Sequence, residues 1–201
     1  MEQIRQIPYG VSDFRSVRDR DLYYVDKTMY LPILEGQSDT LIFIRPRRFG
    51  KSLFINMMRL YYDKLEAENF EKLFGDLYIG QHPTPLRNKY QVLYLDFSQI
   101  GGGIDELYAQ CDTYLSVCLD GFVRKYADDY PDYFIDEYFK DTNANTRLVH
   151  ITRIAKELQI PLYLIIDEYD NFTNVVLNEQ GEEMYHAITH ADGFYRDLFK
   201  K

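Results

Sequence analysis

The sequence predicts an α/β fold in which helices cover both faces of a mainly parallel sheet. Apolar runs rich in strand-favouring residues occur at 41–45, 92–97 and 162–167, and segments with the helical spacing of apolar residues lie between them. A chain of 201 residues is long enough to bury about 70% of its unfolded surface without a disulfide or a metal. We therefore expect one domain over residues 1–201, with no linker dividing it.

The segments outside the three strands predict the helices. Residues 1–22 predict a turn, a short helix and a loop, and a helix follows over Met29–Glu35 with Thr28 as its N-cap and Gly36 at its end. Helical spacing continues from the helix after the first strand through residues 61–74. Further helices are predicted at 104–126, 146–158 and 182–199.

A basic loop ending in Gly50-Lys51-Ser52 separates the first predicted strand from the helix that follows it. Strand, loop, Gly-Lys-Ser and helix is the context in which this motif binds phosphate. The glycine lets the backbone approach an anion closely, and the amides and positive dipole end of the helix face that anion. In this arrangement Lys51 reaches the β- and γ-phosphates of a nucleotide, and the Ser52 hydroxyl binds Mg²⁺.

The loop departs from the general phosphate-loop pattern at its start. Arg45 occupies the position of the usual first glycine, five residues before Gly50, and Pro46 has no backbone N–H to donate. We hypothesise that Arg45, Arg47 or Arg48 supplies by charge what backbone amides supply elsewhere. The alternative is a basic surface turn that merely contains Gly-Lys-Ser.

An acidic pair, Asp167-Glu168, ends the strand predicted at 162–167. In nucleoside triphosphatases of the additional-strand class, the aspartate at this strand end orders the Mg²⁺ shell and the adjacent glutamate polarises the attacking water. Mg²⁺ prefers oxygen ligands, and hydrolysis needs a base within hydrogen-bonding reach of the water. Asp96 also ends an apolar run, but Phe97 rather than a glutamate follows it, so Asp167 is the preferred metal ligand.

Together these motifs resemble the AAA-ATPase-like family of bacterial proteins, whose members often carry a C-terminal nuclease-like domain of the PD-(D/E)xK type. The matching segments are PYGVSDF (8–14), YYVDKT (23–28), RPRRFGKSL (45–53), LDFS (95–98) and IDEYDNFTN (166–174).

The resemblance implies a P-loop NTPase-like, three-layer α/β/α fold that uses ATP and Mg²⁺. Glu168 is then the catalytic residue, and Ser52 and Asp167 are the metal ligands. The nucleotide contacts come from Arg45, Arg47, Arg48, Phe49, Gly50, Lys51, Ser52 and Leu53. The family match also suggests that Asp26 and Lys27 border the nucleotide pocket. Tyr9 and Phe14 either lie near the adenine or pack in the core, and the core is preferred.

Composition limits the environments and partners of the chain. A net charge of -9 argues against direct nucleic-acid binding by this chain alone. The N-terminus lacks the apolar core of a signal peptide, and no apolar run approaches the ~20 residues that span a bilayer. Cys111 and Cys118 are expected to be buried, reduced thiols. We therefore expect a cytoplasmic protein without a membrane segment.

Three functions remain open on these observations. The preferred one is Mg²⁺-dependent ATP hydrolysis that drives a conformational change in a larger assembly, with a nuclease-like domain or another protein as partner. The first alternative is a nucleotide-sensing switch with negligible turnover. The second is a non-enzymatic interaction domain whose basic loop holds an acidic partner.

The order of segments after Asn174 predicts an incomplete sheet. In additional-strand triphosphatases a further strand follows the Asp-Glu strand and lies between it and the phosphate-loop strand. This sequence predicts only a helix there, so we expect the domain to stop before its last core strands. Either strands 41–45 and 162–167 pair directly, or another segment or a partner fills the slot, since unpaired backbone groups are costly. ATP turnover by this chain alone is therefore expected to be negligible.

Overall fold

The computed structural model describes residues 5–37, 40–44, 49–100 and 104–168. Within these ranges the protein is a mixed α/β structure in which helices dominate over a two-stranded parallel sheet. The α-helices are α1 (Phe14–Asp19), α2 (Leu31–Glu35), α3 (Lys51–Tyr62), α4 (Phe70–Phe74), α5 (Tyr78–Gln81), α6 (Ile104–Lys125), α7 (Asp132–Tyr138) and α8 (Ala144–Glu157). The strands are β1 (Gln91–Asp96) and β2 (Leu162–Asp167). Short 3₁₀ helices lie at Thr28–Tyr30, Lys64–Asn69, Phe97–Gln99 and Ala127–Asp129. The chain divides into two compact units, Met1–Val92 and Leu93–Lys201.

An aromatic core holds the first unit together. Phe14, on α1, is fully buried and stacks on Phe74 with a ring-centroid distance of 5.3 Å. The edge of the Tyr24 ring meets Phe14 at 5.1 Å. The preferred sequence interpretation of Phe14 as a core residue is therefore confirmed, whereas Tyr9 is exposed and is not part of the core.

Helix α3 packs on this core through residues at helical spacing. Phe54, Met57, Leu60 and Tyr61 are all buried, which is the pattern of one apolar helix face. The Asn56 side chain accepts a hydrogen bond from the Phe14 amide at 2.8 Å and so joins α3 to the start of α1. The orientation of α3, and with it the orientation of Gly50-Lys51-Ser52, is thus set by core packing.

The strand predicted at 41–45 is not found. Residues 41–44 have no strand assignment, Ile42 and Ile44 are exposed, and Arg45 lies outside the described residues. A run of β-favouring residues becomes a strand only where a neighbouring backbone pairs with it, and the described sheet consists of β1 and β2. Phe43 instead stacks on Phe54 of α3 at 5.3 Å.

Two helix predictions in the first unit also need correction. Thr28 does not cap the helix near Met29: its hydroxyl donates to Asp26 and accepts from the Ile79 amide at 3.1 Å, so it joins two segments instead. The predicted continuous helix through 61–74 breaks at Asp63, where the backbone becomes extended. The Asp63 carboxylate accepts from the Leu65 amide and starts a 3₁₀ turn, because a short acidic side chain competes well for local amides.

The second unit is built from the β1–β2 sheet and helices α6, α7 and α8. Strand β2 coincides with the predicted 162–167, and β1 begins and ends one residue before the predicted 92–97. Helix α8 begins at Ala144, two residues before the prediction, because the Asn143 side chain caps it. Buried apolar residues from the elements of this unit form one cluster: Leu93, Leu95, Phe97, Ile100, Cys111, Leu115, Leu119, Phe122, Val123, Tyr126, Tyr130, Phe134, Tyr138, Ala144, Ile151 and Ile154.

Strand β2 pairs with β1, so the direct pairing of 162–167 with 41–45 is not found in the described residues. The α/β class of the prediction is confirmed, and the three-layer arrangement stays a prediction. The helix predicted at 182–199 lies outside the described residues. None of the described helices is long and apolar enough to cross a lipid bilayer.

The two cysteines lie in the second unit as free thiols. Cys111 is buried and Cys118 is partly buried. Burial raises the pKa of the Cys111 thiol to about 12, because the charged thiolate would lose its hydration. Cys111 therefore stays protonated at neutral pH and belongs to the core.

Candidate functional site

Helix α3 has an open start, which means that its N-cap, Gly50, has no side chain that could cap it. Gly50 is the N-cap and has a φ of 77°, a left-handed conformation that a residue with a Cβ adopts only with strain. No described side chain caps this helix, and its first turn contains no acidic residue. The first amides of an α-helix have no acceptor within the helix, and its dipole is positive at this end. The start of α3 is therefore suited to receive an anion.

Lysine side chains add positive charge at the same place. Lys51 is the first residue of α3, and Lys27 approaches from the segment before α2. A Cβ built on Gly50 would lie 3.9 Å from the Lys27 ammonium, so that cation is next to the loop backbone. Two cations and a positive helix end in a protein of net charge -9 favour binding of a negatively charged group.

A cleft of about 340 Å³ opens beside the start of α3, entirely within the first unit. Its lining is mostly apolar and aromatic, with Lys27 as its charged member. The lining residues are Ile7, Pro8, Tyr23, Tyr24, Val25, Lys27, Gly50, Leu53 and Phe54. Burial raises the pKa of the Tyr24 phenol well above its usual value, and the Asp26 charge adds to this effect. A volume of about 340 Å³ lies at the lower end of the range of small-molecule sites.

The predicted nucleotide contacts fall partly inside the described structure. Phe49 and Gly50 are exposed, while Lys51, Ser52 and Leu53 are half-buried on the first turn of α3. Leu53 also lines the cleft. Arg45, Arg47 and Arg48 lie outside the described residues, so their contact with phosphate stays a hypothesis.

The acidic pair of the second unit stands at the end of β2. Asp167 is 2% exposed, and its carboxylate accepts a hydrogen bond from the Glu168 amide at 2.9 Å. Glu168 has a φ of 51°, an uncommon conformation for a residue other than glycine. Burying a carboxylate and holding a glutamate in the left-handed conformation both cost free energy. Such costs often occur at functional sites.

Asp96 ends the neighbouring strand and has a local structural role. Its carboxylate accepts from the Ser98 amide at 3.0 Å and starts the 3₁₀ turn after β1. Because β1 and β2 are parallel neighbours, Asp96 and Asp167 end their strands at the same edge of the sheet. Across the described residues no group of three or more His, Cys, Asp or Glu side chains is placed so that it could hold a metal ion.

The sequence interpretation missed Tyr23 and Val25 as cleft residues, while its suggestion for Lys27 agrees with the cleft lining. Asp26 has a structural role, since its carboxylate accepts from the Thr28 and Tyr78 amides, each at 2.8 Å. YYVDKT has no alternation of apolar and polar residues that could have marked Tyr23 and Val25 in the sequence. The alternation exists only in the structure, where positions 23 and 25 are exposed and positions 24 and 26 are more buried.

Comparison with known proteins places the chain in a family. A protein of Azotobacter chroococcum mcd 1, described as an uncharacterized protein in the vnfD 5' region, is 37% identical over 101 residues, which is 50% of this chain. The matched segment spans 18% of that relative's length. No solved structure matches the chain. The family model described as Predicted AAA-ATPase matches residues 8–201, and the chain therefore belongs to this AAA-ATPase-like family.

Proposed function

We propose that the chain is an ATP-binding P-loop domain and that the start of α3 binds the nucleotide's phosphates. One observation carries the proposal: Gly-Lys-Ser stands at a helix start without a side-chain cap, with its glycine in the left-handed conformation. The family's description as an AAA-ATPase supports the same ligand. A phosphate group is an anion that can accept hydrogen bonds from several backbone amides at once.

In the first unit we assign the contacts with the nucleotide to side chains at and before the start of α3. Lys51 contacts the β- and γ-phosphates by charge, and the Gly50 region allows close approach of the backbone. At least one of Arg45, Arg47 and Arg48 contacts phosphate, and Phe49 and Leu53 flank the nucleotide.

The roles of Ser52, Asp167 and Glu168 concern the metal and the water. Ser52 and Asp167 are the proposed Mg²⁺ ligands, and a bound Mg²⁺ would neutralise phosphate charge during hydrolysis. The donor set fits, because Mg²⁺ is commonly held by one or two carboxylates together with substrate phosphates rather than by a protein cage. The Asp167 carboxylate is buried and ends a strand, as this role requires. Glu168 is the proposed general base.

The proposed activity in the complete protein is Mg²⁺-dependent ATP hydrolysis in the cytoplasm. Two free cysteines among the described residues are compatible with that reducing compartment. A C-terminal nuclease-like domain or another protein is the proposed recipient of the conformational change.

Isothermal calorimetry of ATP binding tests the proposal with two variants of the chain. Lys51→Ala removes a charge-assisted contact worth ~1.5–3 kcal/mol, so ATP affinity should fall by about 10- to 150-fold. Lys89→Ala is the matched control, because Lys89 is exposed and lies away from the cleft lining. Equal ATP affinity of Lys51→Ala and the wild type would refute the phosphate-loop assignment. A phosphate-release assay then separates hydrolysis from a nucleotide switch that binds without turnover.

A further inference from the structure

A side chain of α6 holds the end of strand β1. The amide of Asp96, the last residue of β1, donates a hydrogen bond to the Tyr114 hydroxyl at 2.7 Å. The Tyr114 ring packs against the apolar cluster of the second unit and meets the Phe97 ring edge to face, with a centroid distance of 6.4 Å. The ring therefore lies against the core, while its hydroxyl reaches the edge of the sheet where β1 ends.

The Tyr114 hydroxyl has a second partner, the Cys118 side chain one turn further along α6. Because the hydroxyl accepts from the Asp96 amide, its own proton is the one that it shares with Cys118. Burial raises the pKa of the Tyr114 phenol well above its usual value, and the bond to Cys118 adds to this effect. The hydroxyl therefore stays protonated at neutral pH and is fixed by two hydrogen bonds.

The residue that Tyr114 holds carries a carboxylate at this edge of the sheet. One carboxylate oxygen of Asp96 accepts from the Ser98 amide at 3.0 Å, and a carboxylate has two acceptor oxygens. Asp96 and Asp167 end neighbouring parallel strands, and the 3₁₀ turn Phe97–Gln99 contacts β2. Asp96 therefore lies on the same edge of the sheet as Asp167 and Glu168, the proposed Mg²⁺ ligand and the proposed base.

We propose that Asp96 is a further carboxylate of the proposed Mg²⁺ site, where it accepts a hydrogen bond from a water on the ion, and that Tyr114 is the positioning residue that fixes it there. This inference rests on the proposed function, because Asp167 and the phosphates hold the ion itself. Mg²⁺ gives up its waters reluctantly and usually keeps several of them when it is bound. Side chains that contact a metal site from outside its direct ligands orient those ligands and tune the ion.

Isothermal calorimetry of the full-length protein, with ATP in Mg²⁺ and with ATP in EDTA, tests the inference. Asp96→Asn keeps an oxygen for the Ser98 amide and removes the charge. Affinity for ATP in Mg²⁺ should fall by about 10- to 100-fold, the range for loss of an outer partner of a metal site. Affinity in EDTA should not fall, because the lost charge repels phosphate. Tyr114→Phe keeps the ring and should cause a smaller loss in the same direction.

A double variant separates positioning from a direct role of Tyr114. If Tyr114 acts through Asp96, Tyr114→Phe combined with Asp96→Asn should lose no more affinity for ATP in Mg²⁺ than Asp96→Asn alone. Tyr138→Phe is the matched control, because Tyr138 is a buried tyrosine of the same apolar cluster whose hydroxyl donates to Asp120, further along α6. This variant should bind ATP like the wild type in Mg²⁺ and in EDTA.

The other outcomes each overturn a defined part of the proposal. Wild-type affinity of Asp96→Asn for ATP in Mg²⁺ would leave Asp96 as a local cap, while the proposed ATP binding stands. Wild-type affinity of Tyr114→Phe, or additive losses in the double variant, would remove the positioning role of Tyr114. An equal loss in Tyr138→Phe would show that a missing buried hydroxyl acts through the fold. If the wild type does not bind ATP, the proposed function and the inference fail together.

Discussion

The starts of α3 in the first unit and α8 in the second are built in opposite ways. At α8 the Asn143 side chain accepts from the Asn145 and Thr146 amides at 2.9 and 3.2 Å, and Asp112 accepts from the Ala144 amide at 3.2 Å. At α3 the N-cap is Gly50, which has no side chain and makes no side-chain cap hydrogen bond. Both helices are longer than three turns and bury one apolar face.

The difference separates structural helix starts from ligand sites. A capped start satisfies its own backbone donors, so it contributes stability and has no need of a ligand. An open start lacks that stabilisation, and backbone N–H groups at such a start can donate hydrogen bonds to a bound anion. By this criterion we expect the start of α8 to have a structural role and the start of α3 to bind the ligand. Substitutions at α3 should change nucleotide binding, and substitutions at α8 should change stability alone.

The acidic pair Asp167-Glu168 at the end of β2, in the second unit, differs from both helix starts. There we expect Glu168 to be a catalytic group rather than a helix cap or a phosphate contact, so the quantity affected by its substitution should be the rate of turnover. Glu168→Gln keeps the shape of the side chain and removes the base, and ATP turnover by the full-length protein should fall ~10²- to 10⁴-fold. ATP affinity should stay at the wild-type value.

The control for this substitution is Glu157→Gln, which changes an exposed glutamate at the end of α8 in the same unit. Turnover should be unaffected there. Undiminished hydrolysis by Glu168→Gln would move the role of general base to another carboxylate, with Asp170 the first to test.

Gly50→Ala tests the open start directly. The added Cβ would make no clash, since its nearest neighbour would be the Lys27 ammonium at 3.9 Å. The loss of stability should therefore come from forcing alanine into the left-handed backbone conformation. We expect the free energy of unfolding to fall by ~1–2 kcal/mol and ATP affinity to fall with it. Urea denaturation and calorimetry measure the two quantities.

Gly121→Ala is the matched glycine control. Gly121 lies inside α6, has no left-handed φ, and has open space where the methyl group of alanine would be added. Alanine should therefore raise the free energy of unfolding by ~0.5–1 kcal/mol. A stabilising Gly50→Ala would contradict the left-handed conformation of Gly50.

Asn143→Ala should have a smaller effect than Glu168→Gln or Gly50→Ala, and that effect should be limited to stability. Loss of the side-chain cap should lower the free energy of unfolding by ~1 kcal/mol, and ATP affinity should not change. Asn143→Asp keeps an acceptor at the cap and should remain close to the wild type. A large loss of ATP affinity in Asn143→Ala would remove the distinction between the two helix starts.

The sequence predicted those parts of the candidate site that depend only on residues close together in the chain. Gly50-Lys51-Ser52 predicted a helix start, and α3 begins at Lys51. The apolar run before Asp167-Glu168 predicted a strand, and β2 has the predicted bounds. Such motifs are local, because periodicity, capping and a terminal charge act within one or two turns of the chain.

Tertiary packing decided the rest. Residues 41–44 have the composition of a strand but no strand assignment, because pairing depends on which backbone lies alongside rather than on propensity. Thr28 has the sequence position of a helix cap, yet it binds the Ile79 amide from a distant part of the chain. The cleft formed by Pro8, Tyr23 and Leu53 likewise joins three segments far apart in sequence. The sequence by itself determined which residues could bind phosphate and carry a carboxylate at a strand end. Only the tertiary structure decided which side chains surround the open start of α3, because long-range contacts depend on core packing that no local pattern records.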